Sequence, residues 1–160
     1  MTKMSKIAVI GDGGWGTTLA ILLSKKGFDV SLWSAFPEYA DLIKKSRENV
    51  KFLPGMNIPE GVNITGSLFE ALKGGGLVIL AVPSQFMRGV LENMKDEDLA
   101  GKRFVSATKG IENGTLKRMS EVIEECLGKQ KLAVLSGPTI ALEVANLSLT
   151  SAVIASDDQM

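Results

Sequence analysis

The chain has 160 residues, 45% of them hydrophobic, which is enough for one soluble globular domain around a single core. Its 18 basic and 18 acidic residues are mixed along the chain and sum to a formal net charge of zero, so no polycationic face exists to attract nucleic acid or anionic lipid. The single cysteine, Cys126, excludes an internal disulfide and a Cys-rich metal cage, and the absence of histidine removes Ser-His-Asp and Cys-His catalysis and the common His-based zinc sites.

Met1 to Lys6 is polar and leads into an apolar run far too short for a signal peptide or membrane span, so a cytoplasmic protein without membrane insertion is expected. Ile7-Ala8-Val9-Ile10 is a short apolar run bounded by polar residues and glycines, the pattern of a strand buried on both faces of a parallel sheet. Trp15 to Lys26 places Leu19, Leu22 and Leu23 on one helical face, and Gly27 closes that helix. Val30 to Trp33 reads as a second strand, and Glu38 to Lys45 as a helix entered through Pro37.

Asn49 to Val62 carries Pro54, Gly55, Pro59 and Gly61 without periodicity and reads as one long loop that invites a functional explanation. Val62 to Thr65 is a short strand and Leu68 to Leu72 a short helix; Gly74-Gly75-Gly76 then turns the chain into a buried strand at Leu77 to Val82. Phe86 to Met94 is a helix, Phe104 to Ala107 a strand, Leu116 to Leu127 an amphipathic helix holding Cys126 as a buried structural thiol, and Leu132 to Leu135 a strand. A short helix over Thr139 to Ala145 and a last strand over Ala152 to Ala155 complete the series. Strand and helix in repeated alternation predict an α/β, Rossmann-type doubly wound, mostly parallel sheet with helices on both faces. The closing Ser156 to Met160 resembles a helix start, so residues 1–160 read as one dinucleotide-binding domain cut before a further domain.

The strongest local signal is Gly11-Asp12-Gly13-Gly14-Trp15-Gly16, a G-x-G-x-x-G run directly after a buried strand and directly before a helix. Gly11 permits the tight turn, Gly13 lets the backbone approach a diphosphate, Gly16 lets the helix lie close to the sheet, and the helix start offers free N–H groups to phosphate. Glycine-rich turns also serve plain strand-to-helix packing, and the Asp12 carboxylate has to point away from any phosphate. At the end of the second strand stand Trp33-Ser34-Ala35-Phe36, with neither a carboxylate for ribose hydroxyls nor an arginine for a 2′-phosphate. The choice between NAD and NADP stays open there, and Phe36 reads equally as an adenine platform or a core aromatic.

Val82-Pro83-Ser84-Gln85-Phe86, Thr108-Lys109-Gly110 and Ser136-Gly137-Pro138-Thr139 each follow a strand and converge on the ligand edge of a parallel sheet. Lys109 there suits an anionic substrate or a polarised carbonyl, against a solvated surface lysine. Gly137 and Thr139 read either as turn and cap residues or as backbone donors to a phosphate.

Taken jointly, Gly11 to Thr17, Asn49 to Gly55, Val82 to Phe86, Thr108 to Glu112 and Leu135 to Ala145 resemble the NAD(P)-dependent glycerol-3-phosphate dehydrogenases, in that family's order and across nearly the whole chain. The resemblance implies hydride transfer between NAD or NADP and the central carbon of dihydroxyacetone phosphate, a small phosphorylated substrate, giving sn-glycerol 3-phosphate for glycerophospholipid synthesis. It implies coenzyme contacts at Gly14, Trp15, Phe36, Phe86 and Ala141, a Lys109 that faces both coenzyme and substrate, and substrate contacts at Gly137 and Thr139. It places the proton-donating lysine and the phosphate-gripping residues in a following helical domain, so residues 1–160 alone are expected to bind coenzyme and turn nothing over. A homodimer of the full-length enzyme is left open. Two departures stand out: Ala35 where bacterial members often carry Arg or His, and Leu149-Thr150-Ser151 where Pro-Thr-Ala is usual. The competing readings are a regulatory NAD(P)-sensing module, which has no need of Lys109, and another dehydrogenase of the same plan, which lacks the phosphate-substrate blocks.

Overall fold

The computed structural model describes residues 6–157; the lead Met1 to Ser5 and the end of the helix-start reading, Asp158 to Met160, lie outside the described residues. The first apolar run forms β1 (Lys6–Ile10), paired in parallel with β2 (Val30–Trp33) on one side and β6 (Gly75–Leu80) on the other. Because successive strand residues point to opposite faces, Ile7 and Val9 enter one core while Ala8 and Ile10 enter the other. Outward from this centre lie β5 (Val62–Thr65) beyond β2, and β7 (Arg103–Ser106), β8 (Lys131–Ser136) and β9 (Val153–Ser156) beyond β6. Every pairing in this seven-stranded sheet is parallel except β8 with β9.

Helices cover both faces. α1 (Gly14–Lys25), α2 (Pro37–Ser46) and α6 (Ala141–Ala145) pack on the face of Ile7 and Val9. The other face carries α3 (Leu68–Leu72), α4 (Ser84–Met94) and α5 (Met119–Leu127), together with Phe104, Leu80 and Cys126. Fully burying a side chain such as Leu80 or Phe104 stabilises the fold by roughly 1.5–3 kcal/mol. Burial pushes the Cys126 thiol above its ordinary range, which fits a structural group. The architecture is the expected Rossmann type, and no second, helical domain occurs among the described residues. Nor is any helix among them long and apolar enough to cross a membrane, and no cluster of His, Cys, Asp and Glu suits a metal.

Some boundaries differ from expectation. The long loop contains an antiparallel pair, β3 (Glu48–Asn49) with β4 (Leu53–Asn57), with a register irregularity between Glu48 and Asn49. Gly75 and Gly76 lie inside β6, where the ladder to β1 outweighs their turn propensity. α5 starts at Met119 because Leu116 is left-handed (φ 58°) and Ile111 bridges Arg118 first. α6 starts at Ala141, and Ser156 ends β9 with its hydroxyl donating to the Leu132 carbonyl.

Candidate functional site

Strand order reverses at β1, whose neighbours β2 and β6 lead to opposite ends of the sheet; a crevice opens at such a point along the carboxyl edge. The glycine turn forms its first wall. Gly11 sits at φ 114°, and a Cβ on it would lie 2.9 Å from the Ala81 carbonyl. A Cβ on Gly16 would fall 1.9 Å from the Gly11 oxygen, so helix and turn touch backbone to backbone. Gly14 is pressed in the same way by the Phe52 carbonyl, at 2.6 Å from a notional Cβ.

Gly13 differs: nothing lies within 4 Å of where its Cβ would be. It is the N-cap of the 12-residue α1, and no side chain caps that end. The unpaired first-turn N–H groups and about half a positive charge therefore face open space, which is the chemistry a diphosphate requires. A dinucleotide fits this wall.

Asp12 lies beside that space and outside it. It is 8% exposed, absent from the crevice lining, and its Oδ2 has no hydrogen-bond partner. Burial raises its pKa, against the polar neighbourhood of Ser34 and the charge of Lys51, which lower it. The Asp12 carbonyl is fixed more firmly. It accepts from the Thr17 hydroxyl at 3.2 Å and from Asn49 Nδ2 at 2.6 Å, and Asn49 Nδ2 also donates to Thr17 Oγ1 at 2.8 Å. Asn49 Oδ1 in turn accepts from the Tyr39 hydroxyl at 2.8 Å and from the Phe52 N–H at 3.2 Å. One fully buried amide thus ties the β3–β4 pair and α2 to the glycine turn.

The opposite wall carries Lys109. Its ammonium donates to the carbonyls of Thr139 (2.8 Å) and Gly137 (3.2 Å) and lies 6.0 Å from the centre of the Trp15 ring. A crevice of about 350 Å³ is lined by Gly13, Gly14, Trp15, Lys109, Thr139 and Ala141, with Ala81 to Pro83, Ala107 and Thr108 as its floor. A larger groove of about 850 Å³ runs behind Lys109 between α5 and the β8–β9 edge, away from the glycine turn. The smaller space is the one that joins bare amides to a cation.

Phe36 (64% exposed) and Phe86 (65% exposed) stand after β2 and at the start of α4, flanking the β1 turn at the carboxyl edge. Phe36 is therefore no core aromatic. Gly137 engages Lys109 through its carbonyl, and a Cβ there would lie 2.6 Å from the Ser151 carbonyl, so close packing alone demands glycine. Thr139 does not cap α6, whose N-cap is Ile140.

Nothing local in the sequence marks Asn49 as a hub, nor Gln85 and Arg88 on α4 as loop partners. The only signal for Asn49 was its place at the head of the Asn49–Gly55 block; a lone polar residue in an irregular stretch says nothing of partners 37 positions away.

Residues 6–160 match the family described as NAD-dependent glycerol-3-phosphate dehydrogenase N-terminus. The chain is 44% identical over 155 residues to the glycerol-3-phosphate dehydrogenase (NAD(P)+) of Prosthecochloris aestuarii, which covers 95% of this chain and 47% of that protein. It is likewise 44% identical over 158 residues to the Corynebacterium glutamicum protein of the same name, covering 98% of this chain and 48% of that one. The crystal structure of glycerol-3-phosphate dehydrogenase from Coxiella burnetii superposes with a TM-score of 0.91 at 34% identity, over 97% of this chain and 47% of that structure. The chain therefore spans about half the length of the relatives it matches. Since the match runs from the first described strand through the last, the chain belongs to the NAD-dependent glycerol-3-phosphate dehydrogenase family, of which it represents the N-terminal region.

Proposed function

We propose that residues 1–160 form the coenzyme-binding domain of an enzyme that interconverts dihydroxyacetone phosphate and sn-glycerol 3-phosphate in glycerophospholipid synthesis. Bound NAD or NADP supplies or accepts the hydride at its nicotinamide ring. The chain's own part is to bind, orient and exclude water. The observation that carries this reading is the open space over Gly13 at the uncapped start of α1, in one crevice with the Lys109 ammonium.

In this reading the first-turn backbone from Gly13 to Trp15 receives the diphosphate, Gly11 and Gly16 bind by shaping the turn behind it, and Trp15, Phe36, Phe86 and Ala141 frame the rings and riboses. Lys109 faces the nicotinamide end and the phosphorylated substrate, with Gly137 and Thr139 beside it. Its bonds to two carbonyls hold the cation in place before any ligand arrives, so little reorganisation is needed on binding. The proton donor and the phosphate grip come from a helical domain beyond these residues, and a cytoplasmic homodimer is compatible with this plan.

The test is titration of the chain with NADH and NADPH separately, followed through the emission of Trp15 and Trp33. Saturable binding of at least one coenzyme is expected, with no turnover of dihydroxyacetone phosphate by this chain alone. Failure of both coenzymes to bind the folded chain sinks the reading.

A further inference from the structure

We infer that Gln85 and Arg88 of α4 are positioning residues for Lys109, acting through the loop that follows it; this rests on the role proposed for Lys109 above. Neither side chain lines the crevice, so whatever they contribute passes through that loop.

The loop meets α4 at once. Gly110 lies at φ 103°, and a Cβ there would sit 2.9 Å from Ser84 Oγ, so backbone and helix start are in direct apposition. Gln85 then spends its amide in both directions: Nε2 donates to the Ile111 carbonyl at 2.8 Å, and Oε1 accepts from the Asn113 N–H at 2.9 Å. That is the pairing a neighbouring strand would offer, and it needs a donor and an acceptor on one side chain. Glutamate lacks the donor. Methionine lacks both.

One turn further along the same helix face, Arg88 makes a two-pronged bond to Glu112, Nε to Oε1 and Nη2 to Oε2, each 2.8 Å. Its Nη2 also reaches Glu125 on α5 at 2.8 Å, which fixes the guanidinium from behind. The loop is closed on itself as well: Glu112 donates its N–H to the Lys117 carbonyl, and the Thr115 hydroxyl bonds Glu112 Oε2. On the strand side, the Thr108 hydroxyl is tied to the Val82 carbonyl at 2.8 Å. Lys109 is thereby anchored by the residue before it and by the clamped loop after it. A lysine stem carries several rotatable bonds, so where its base is fixed decides which carbonyls its ammonium reaches.

The coenzyme-free chain, labelled with 5-fluorotryptophan, gives one fluorine resonance for each of its two tryptophans, and the Trp15 signal is the one that Lys109→Met moves. Gln85→Met, Gln85→Glu and Arg88→Lys are expected to move the Trp15 signal toward its Lys109→Met position and to leave the Trp33 signal in place. Adding Gln85→Met to Lys109→Met should move it no further. NADH binding should weaken about tenfold in the single variants, the scale of one lost hydrogen bond to a charged group. A Trp15 signal unmoved in all three, with only the melting temperature lowered, overturns the inference. Should a Gln85 variant fail to fold, Glu112→Gln, which keeps the loop's shape and breaks the fork, reads the same signal. The fluorine result needs no bound coenzyme, so a wild-type chain that ignores NADH defeats the proposed function without touching this test.

Discussion

At Gly11, Gly14 and Gly16 the first crevice wall is backbone packed so closely that added atoms have nowhere to go, whereas across from it the Lys109 ammonium is held by bonds to carbonyls 28 and 30 residues away. The two walls fail in opposite ways. The glycine turn is sensitive to atoms gained, and the lysine wall, with the polar hub behind the turn, is sensitive to atoms lost. Glycines inside the first wall are themselves unequal, because some face backbone and one faces open space.

That inequality gives the largest expected effect. Gly16→Ala puts a methyl group 1.9 Å from the Gly11 oxygen, and helix and strand must separate to admit it. Overpacking of this kind destabilises by ~3 kcal/mol, or a fall of roughly 10 °C in Tm for a chain of this size. Gly13→Ala should leave Tm within ~2 °C, since its backbone is extended and its surroundings empty, yet weaken NADH binding by about tenfold or more as the methyl occupies the phosphate's place. Thermal melts and coenzyme titrations on the two variants separate the roles. Equal loss of stability in both would show that the space over Gly13 is packing, with no ligand function.

The same contrast explains what could be read from the sequence. β1, the glycine turn, α1 and β2 are written locally: an apolar run, glycines at fixed spacing and a 3.6-residue period lie within some thirty positions. The carboxyl-edge turns carrying Lys109 and Thr139 were legible for the same reason, as small-residue stretches closing buried strands. The β3–β4 pair was not. Leu53-Pro54-Gly55-Met56-Asn57 contains two breakers, and its pairing is sustained by Asn49, whose partners Tyr39, Thr17 and Asp12 lie outside any local window. The Gln85–Arg88 grip was equally invisible, because its partners lie 24 to 28 residues downstream in a loop without periodicity.

Asn49 is where loss of atoms should matter most. Asn49→Ala removes two donated and two accepted bonds from a fully buried position and leaves the Tyr39 hydroxyl and the Phe52 N–H without that acceptor. Unsatisfied buried groups of this kind cost ~2–3 kcal/mol. Because the Asp12 carbonyl is released at the same time, coenzyme affinity should fall together with Tm, unlike in either glycine variant. Asn49→Asp, which keeps the acceptor and loses the donor, should retain the Tyr39 bond and still lose affinity. An Asn49→Asp chain that binds NADH as the wild type does would show that the hub supports the β3–β4 pair alone.

The smallest effect concerns the Asp12 carboxylate, buried beside the bare wall. Burial lifts the Asp12 pKa above the ordinary carboxylate range, and Oδ2 finds no partner, so the ionised carboxylate is a burden on the native state. A carboxyl whose folded pKa is raised contributes stability that is fully present below its unfolded pKa and lost as pH rises through the folded one. Asp12→Asn keeps the shape while removing the charge, so the variant should be more stable than the wild type at pH 7. The two chains should converge as pH drops below about 4, where both side chains are neutral. The same change removes a negative charge from beside the proposed diphosphate site, so NADH affinity at neutral pH should rise slightly, and more at low ionic strength than at high. Denaturant unfolding of both chains between pH 4 and 8 reads the stability difference. A wild type that stayed the more stable at pH 7 would mean that the polar surroundings and the Lys51 charge outweigh burial, and that the carboxylate is a structural anchor beside the turn.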